Sequence, residues 1–159
     1  MPDDQERLQH ALALAYRYLN RRERTTTEVR RHLERKAVDA TSCEWALEVL
    51  TEEGSVGDAR FARLFVQDKR ELEEWGRERI RQGLLARGVD RELVEEALSE
   101  PAPIEEATEL DRAVALLSRR FQAPPRERRE RDRALGLLIR KGYDPDLALD
   151  ALVAYARSG

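Results

Sequence analysis

The sequence predicts an all-α protein: an elongated tandem of three three-helix units, helix-turn-helix-like repeats with about nine helices in all. Three observations predict it. The register Lys/Arg-Gly-(aromatic or Val)-Asp occurs twice, as Arg87-Gly88-Val89-Asp90 and Lys141-Gly142-Tyr143-Asp144, 54 residues apart, and a Leu follows each Gly by ten residues. A degenerate third copy, Lys36-Ala37-Val38-Asp39, lies 51 residues upstream of the first. Apolar residues precede each copy at helical spacing (Val29 and Leu33, Ile80 and Leu84, Leu135 and Ile139), and nothing reads as a strand. The units are expected at residues 6–56, 57–100 and 103–157. A tandem of this kind presents a long surface to an extended partner more readily than it builds a deep catalytic cleft.

Each element has a local reason. Leu8, Leu12, Ala15 and Leu19 mark one amphipathic face over residues 6–23. Thr25 and Glu28 form a capping box that opens a second helix running to about Lys36, and Thr41 and Glu44 suggest another that opens a third helix stopping at Gly54. The second unit is expected to begin with Asp58 as N-cap and with Phe61, Leu64 and Phe65 facing inward, the helix ending near Trp75-Gly76. Its next helix spans 77–87 and terminates at Gly88 in a left-handed C-cap, after which Asp90 caps the third. Beyond a Pro101-Ala102-Pro103 break, Ala107, Leu110, Val114, Leu117 and Phe121 make the clearest helical stripe in the chain, ended by Pro124-Pro125. The last pair covers 126–141 and 145–157, split by Gly142, with Asp144 as N-cap and Pro145 at the first helical position.

Composition bounds the function. With 159 residues and 41% apolar content the chain can bury one core or three small ones in contact, and a charged fraction of 38% suits thin helical layers. No apolar run approaches the ~18 residues of a membrane span, and Met1-Pro2-Asp3-Asp4 lacks the basic start of a signal peptide, so a cytoplasmic protein is expected. Cys43 is the only cysteine, which excludes an internal disulfide and a thiolate metal cluster. Its place in the first turn of a helix would suit an activated thiol, but without a partner cysteine the plain reading is preferred. His10 and His32 show no ligand spacing. There is no Gly-rich phosphate loop and no Ser/His/Asp set, so no catalytic residue, metal or cofactor is expected, and no enzyme. Trp45 and Trp75 read as core or rim aromatics; Trp75, beside Gly76 and Arg77, also qualifies as a base-stacking residue.

The net charge of -3 is unevenly spread. Residues 17–36 carry eight bases against three acids, residues 44–58 five acids and no base, residues 90–111 nine acids against Arg91, and residues 112–141 ten bases against three acids. Solvated helices laced with i,i+4 ion pairs produce such alternation, and so do basic faces repeated along a binding surface. On the second reading the contacting residues are Arg30, Arg31, Arg35 and Lys36 in the first unit. Arg77, Arg81 and Arg87 follow in the second, and Arg129, Arg133, Arg140 and Lys141 in the third. Guanidinium groups suit phosphates and carboxylates alike, so sequence leaves nucleic acid and an acidic protein face both open.

At this point the residues resemble a known family. Arg24-Thr25-Thr26-Thr27-Glu28-Val29, with Leu33 and Lys36, is similar to the Arg-x-Ser/Thr-x-x-Glu-Leu opening of RecX proteins, regulators of the RecA recombinase. Leu50 with Gly54-Ser55-Val56-Gly57-Asp58-Ala59-Arg60-Phe61-Ala62 resembles their most recognisable segment, and Gly76, Ile80, Leu84, Gly88 and Val89 the segment that follows it. The likeness covers roughly residues 10–155; Ala37 stands where the first unit often has Gly or an aromatic, and Gly57 where Asp or Asn is commoner. The resemblance implies Glu28, Gly54, Asp58, Phe61, Ala62, Gly76, Gly88 and Gly142 as structural signature residues. It also implies a monomeric, non-enzymatic inhibitor that lies in the groove of the RecA filament on single-stranded DNA. Such an inhibitor modulates recombination, DNA repair and the SOS response, and some members bind DNA directly and weakly. The alternative is an autonomous DNA-binding helix-turn-helix-like module or transcription regulator.

Overall fold

The structure, a computed structural model, describes residues 1–99 and 108–158. These form nine helices and no strand: α1 (Asp4–Leu19), α2 (Thr26–Arg35), α3 (Ala40–Glu52), α4 (Asp58–Glu71), α5 (Arg77–Ala86), α6 (Arg91–Ser99), α7 (Glu109–Arg120), α8 (Arg128–Lys141) and α9 (Pro145–Ser158). The expected break at Pro101-Ala102-Pro103 and the start of the stripe at Ala107 lie outside the described residues. The fold is all-α, as the sequence predicts.

By contact density the chain forms two compact units, Met1–Arg63 with Leu84–Val94, and Leu64–Gly83 with Glu95–Gly159, so that α4, α5 and α6 each contribute to both. The first is built on α1, α2 and α3. Ala11 and Ala15, Val29 and Leu33, and Cys43, Ala46, Leu47 and Leu50 meet in one core that Val56 closes. The second gathers Ala113, Leu116 and Leu117 of α7, Ala134 and Leu138 of α8, Tyr143, and Ala148, Ala151 and Tyr155 of α9. Small residues, Ala above all, recur at these contacts and let helix backbones approach closely.

The caps explain where the helices start, and several differ from expectation. The α2 box is present, Thr25 accepting from the Glu28 N–H and Glu28 from the Thr25 N–H. Upstream, α1 starts at Asp4 rather than residue 6, because Asp3 and Glu6 form a box of their own, and it ends at Leu19. The expected box at Thr41 and Glu44 is displaced: Asp39 is the N-cap of α3 and accepts from the Ser42 N–H at 3.0 Å. Thr108 and Asp111 box the start of α7. Asp144 caps α9, accepting from the Asp146 and Leu147 N–H groups.

Asp58 lies in the first turn of α4 and not at its N-cap; Gly57 precedes the helix and its carbonyl accepts from the Phe61 N–H. The inward face of α4 is Ala62, Phe65 and Val66, with Phe61 half-buried and Leu64 exposed. Ile80 and Leu84 are fully buried as expected, whereas Ile139 on α8 is 45% exposed and Ala134 and Leu138 take the core positions. The α4 helix ends at Glu71, before Trp75-Gly76, and Glu74 adopts a left-handed φ of 58° in the connection.

Candidate partner and nucleic-acid interface

The same joint is built once inside each compact unit. In the first, the turn that ends α5 lies against the first turn of α2. The Thr25 hydroxyl donates to the Arg87 carbonyl at 2.7 Å, the Thr27 hydroxyl to the Gly88 carbonyl at 3.1 Å, and Arg31 to the Ala86 carbonyl at 3.4 Å. In the second, the turn that ends α8 lies against the first turn of α5. The Gly76 N–H donates to the Lys141 carbonyl at 2.7 Å, the Glu78 N–H to the Gly142 carbonyl at 2.9 Å, and Arg79 to the Arg140 carbonyl at 3.1 Å. Carbonyls orphaned at one helix end thus satisfy donors at the start of another, and opposite dipole ends meet.

The glycines of the repeated register make this approach possible. Gly88 and Gly142 have φ of 81° and 98°, the left-handed region that closes a helix and that side chains resist. A Cβ on Gly142 would collide with the Arg79 side chain and with its backbone nitrogen, and one on Gly88 with the Thr27 side chain. Gly76 is equally constrained: a Cβ there would lie 2.6 Å from the Gly142 carbonyl carbon.

Several of the basic residues singled out by sequence serve these and similar internal ties. Arg31 belongs to the first joint, and Lys141 reinforces the second by donating to the Glu73 carbonyl at 3.0 Å. Arg30 pairs with Glu44 at 2.9 Å, and that hydrogen bond raises the pKa of its guanidinium. Arg81 binds Glu95 at 2.6 Å and Glu78 as well; the Glu95 bond leads in holding its proton more tightly than usual. Arg77 is exposed, with its terminal nitrogen 3.5 Å from the Leu98 carbonyl. Arg70 donates to that same carbonyl at 3.1 Å, so two cations meet the C-terminal end of α6. Burial lowers the pKa of Arg70. Arg87 is half-buried and its carbonyl serves the first joint; Arg35 and Lys36 are exposed at the end of α2.

The third group differs. Arg129, Arg133 and Arg140 on α8 are exposed and make no ion pair within the described residues. Arg133 and Arg140 line, with Arg120, Phe121 and Leu137, an open cleft of about 290 Å³. Neither Arg120 nor Phe121 is among the contact residues expected from the sequence, where Phe121 is the last residue of an apolar stripe; the signal was the ten-base run from 112 to 141, but its geometry depends on where α7 ends.

Other candidates have plain surroundings. Cys43 is buried, and desolvation raises its thiol pKa, the reverse of activation. Trp75 is already occupied, with Arg79 at 4.2 Å and Lys69 at 4.8 Å from its ring centroid and Phe65 at its edge. His32 stacks on Tyr18 at 4.0 Å, Arg24 lies over the same tyrosine at 4.2 Å, and burial first, then neighbouring cations, lowers the imidazole pKa. Among the described residues no group of three or more His, Cys, Asp or Glu could hold a metal ion, and no helix is long and apolar enough to cross a membrane.

Comparison with known proteins agrees with the geometry. Residues 11–50 match the family model described as RecX, first three-helix domain, and residues 58–98 that described as RecX, second three-helix domain. The chain is 36% identical over 108 residues to the Regulatory protein RecX of Trichlorobacter lovleyi, an alignment covering 67% of this chain and 68% of that protein. The chain belongs to the RecX family. A second relative, the Regulatory protein RecX of Lactobacillus delbrueckii subsp. bulgaricus, is 35% identical over 97 residues, 61% of this chain but 36% of the relative's length. The crystal structure of RecX from Lactobacillus salivarius has the same fold, with a TM-score of 0.81 at 19% identity over 98% of this chain and 99% of that one.

The RecX signature residues have structural work in this chain. Glu28 completes the α2 box and receives Arg24 at 3.8 Å. Asp58 accepts from the Thr26 N–H at 2.8 Å, so the acid that sequence placed at the start of α4 satisfies a donor at the start of α2. Ala62 is fully buried and Phe61 half-buried; Gly54, with φ of 77°, turns the chain after α3. Gly76, Gly88 and Gly142 make the two joints. RecX spacing in this chain is therefore a record of where backbone meets backbone, and the surface must be sought elsewhere on the same helices.

Proposed function

We propose that this RecX chain is a non-enzymatic regulator that restrains the RecA recombinase by occupying the groove of the RecA filament on single-stranded DNA. Family membership supports the regulatory role. The observation that carries the contact is the exposed arginine face of α8, where Arg129, Arg133 and Arg140 lie without carboxylate partners among the described residues. Exposed, unpaired guanidinium groups keep their full bonding capacity for phosphates or for the acidic face of a partner. Arg30 and Arg81, spent on Glu44 and Glu95, offer less. Three-helix units in tandem, at 6–56, 57–100 and 103–157 as the sequence divides them, would let one molecule touch more than one filament protomer. Restraint then follows if the chain binds one filament state more tightly than another.

The helix-turn-helix alternative has less support. A major-groove reader needs an exposed basic or polar helix whose N-terminal residues reach base edges. The first turns of α2 and α5 are covered by the joints, and the exposed faces of α3 and α6 carry Glu44 and Glu48, and Glu92, Glu95 and Glu96. A DNA-dependent ATPase assay of the cognate recombinase tests the proposal. Added chain is expected to lower turnover, less so at higher salt, and a folded Arg129→Glu, Arg133→Glu, Arg140→Glu variant to inhibit at least several-fold more weakly. Stimulation, or inhibition unchanged by the triple reversal, would refute it.

A further inference from the structure

The cleft beside α8 has the chemistry of a site for one ligand class. Its walls are Arg120 and Phe121 from the end of α7, and Arg133, Leu137 and Arg140 from α8. On a helix those last three stand at i, i+4 and i+7 and so share one face. All three arginines are exposed and make no ion pair within the described residues, although Glu127, Glu130 and Asp132 lie nearby in sequence. The walls are also held in place. The Phe121 N–H bonds to the Leu117 carbonyl at 2.9 Å, and the Phe121 carbonyl accepts from the buried Tyr155 hydroxyl at 2.9 Å. The phenyl ring is half-buried, packed on the core by one side while it lines the cleft.

Gly136 contributes by being bare. A Cβ at that position would stand 3.1 Å from the Arg140 Nη1. The Arg140 guanidinium therefore lies back along α8 over Gly136, toward Arg133, rather than reaching away into solvent. Three forks of N–H donors converge on an opening at the lower end of the ~300–1,000 Å³ range of small-molecule pockets, with an apolar ring and a leucine between them. Such a cleft is shallow for an enclosed metabolite and suited to a polyanion that passes through.

We propose that this cleft binds single-stranded nucleic acid, with Arg120, Arg133 and Arg140 on successive phosphates and the Phe121 ring against an unstacked base. The aromatic wall is what favours a nucleic-acid strand over an acidic peptide. Guanidinium groups serve either, but a nucleobase gains from a flat apolar face where a carboxylate side chain does not, and stacking of this kind tolerates any base. Duplex DNA fits less well because its bases are paired and stacked inside the helix. The inference deepens the proposed function by giving the chain a direct hold on the strand inside the filament. It stands or falls on bare strand, without recombinase.

The test is fluorescence anisotropy of a labelled oligothymidylate titrated with the full chain, no recombinase present. Wild-type binding is expected to weaken steeply with salt. In Arg120→Glu, Arg133→Glu, Arg140→Glu it should weaken roughly tenfold or more at low salt, with the log–log salt slope flattened by about 2, the release expected from three phosphate contacts on a single strand. Phe121→Leu keeps packing volume and removes the ring face; it is expected to loosen oligothymidylate about fivefold or more while leaving inorganic polyphosphate binding unchanged. Circular dichroism melting establishes that both variants are folded. Wild-type affinity in the folded triple variant overturns the site, equal weakening of both ligands in Phe121→Leu overturns the stacking, and competition by polyglutamate as strong as by oligothymidylate overturns the assignment to nucleic acid. A wild-type chain that inhibits the recombinase but does not bind bare oligothymidylate would sink this inference alone; a wild-type chain that binds the strand but does not inhibit would sink the proposed function alone.

Discussion

Replacing Gly142 by Ala should damage the molecule far more than a left-handed glycine ordinarily requires. Two effects add. An L-residue at φ 98° carries left-handed strain of ~1–2 kcal/mol. The new Cβ also meets Arg79 at its side chain and backbone nitrogen, so the turn must retreat from the start of α5. Retreat breaks the Gly76 N–H to Lys141 and Glu78 N–H to Gly142 bonds, each worth ~0.5–1.5 kcal/mol net and more if a donor is left buried and unpaired. The expected loss is about 2–5 kcal/mol. Gly54→Ala is the matched control: φ is 77°, but among the described residues nothing lies within 4 Å of its Cβ, so only the strain of ~1–2 kcal/mol applies. Urea unfolding followed by circular dichroism measures both, and the difference isolates the close approach. Equal losses in the two variants would show that the joint contributes nothing, and with it the explanation of the repeated register.

Other outcomes follow from the same geometry. Thr25→Val removes a buried hydroxyl that both caps α2 and donates to Arg87; a loss of ~2–3 kcal/mol is expected on urea unfolding, and a loss below that of an ordinary surface substitution would contradict it. Arg30→Ala breaks an ion pair whose members are 37% and 60% exposed, so calorimetry should show no more than ~1 kcal/mol despite the good distance. Burial, chiefly, pushes the Tyr143 hydroxyl up to about 12 from an ordinary 10, so the folded state holds its proton when the unfolded chain has lost it. Stability is therefore complete below pH 10 and falls as the pH rises toward 12, by up to ~2–3 kcal/mol, a slope that Tyr143→Phe should flatten in urea unfolding across that window. Gly136→Ala should raise the melting temperature, by up to ~1 kcal/mol of stability, because the only neighbour its Cβ meets closely among the described residues is the movable end of Arg140.

What the sequence made legible was local. The α2 box, the left-handed Gly88 that ends α5, and the Asp144-Pro145 start of α9 each depend on residues within one turn, and each stands as read. Misreadings came where the partner is distant or where two local candidates compete. Asp58 has the look of an N-cap, yet its partner is Thr26, 32 positions earlier. Asp39 lies close enough to Ser42 to take the cap that Thr41 and Glu44 suggested. Thr108 escaped notice because its box closes with Asp111 rather than Glu or Gln. Leu64 was assigned inward and Ile139 counted in a helical stripe on apolar character, but an exposed aliphatic side chain is ordinary and marks no face by itself.

The arginines were the least legible part because charge in a sequence does not say which cation is already neutralised. The structure supplies a rule that is periodic. Arg30 pairs with Glu44 and Arg81 with Glu95; in each case the partners are 14 residues apart, and the second pair lies 51 positions after the first. One arginine on a second helix thus ties down the third helix in two successive repeats, at the spacing that separates the Lys36 and Arg87 registers. Carried forward by the 54 residues that separate the next two registers, the same positions are Leu135 and Leu149, so the tie has no counterpart there. The bases of α8 instead occupy positions 129, 133 and 140, exposed and without ion pairs among the described residues. Desolvating an arginine that has a carboxylate partner gains little for a new ligand, since one bond is exchanged for another, whereas an unpaired guanidinium releases counterions and forms bonds it did not have. The departure of the last repeat from the pairing of the first two is therefore the physical reason to place ligand contact on α8, although all three basic clusters have the same appearance in the sequence.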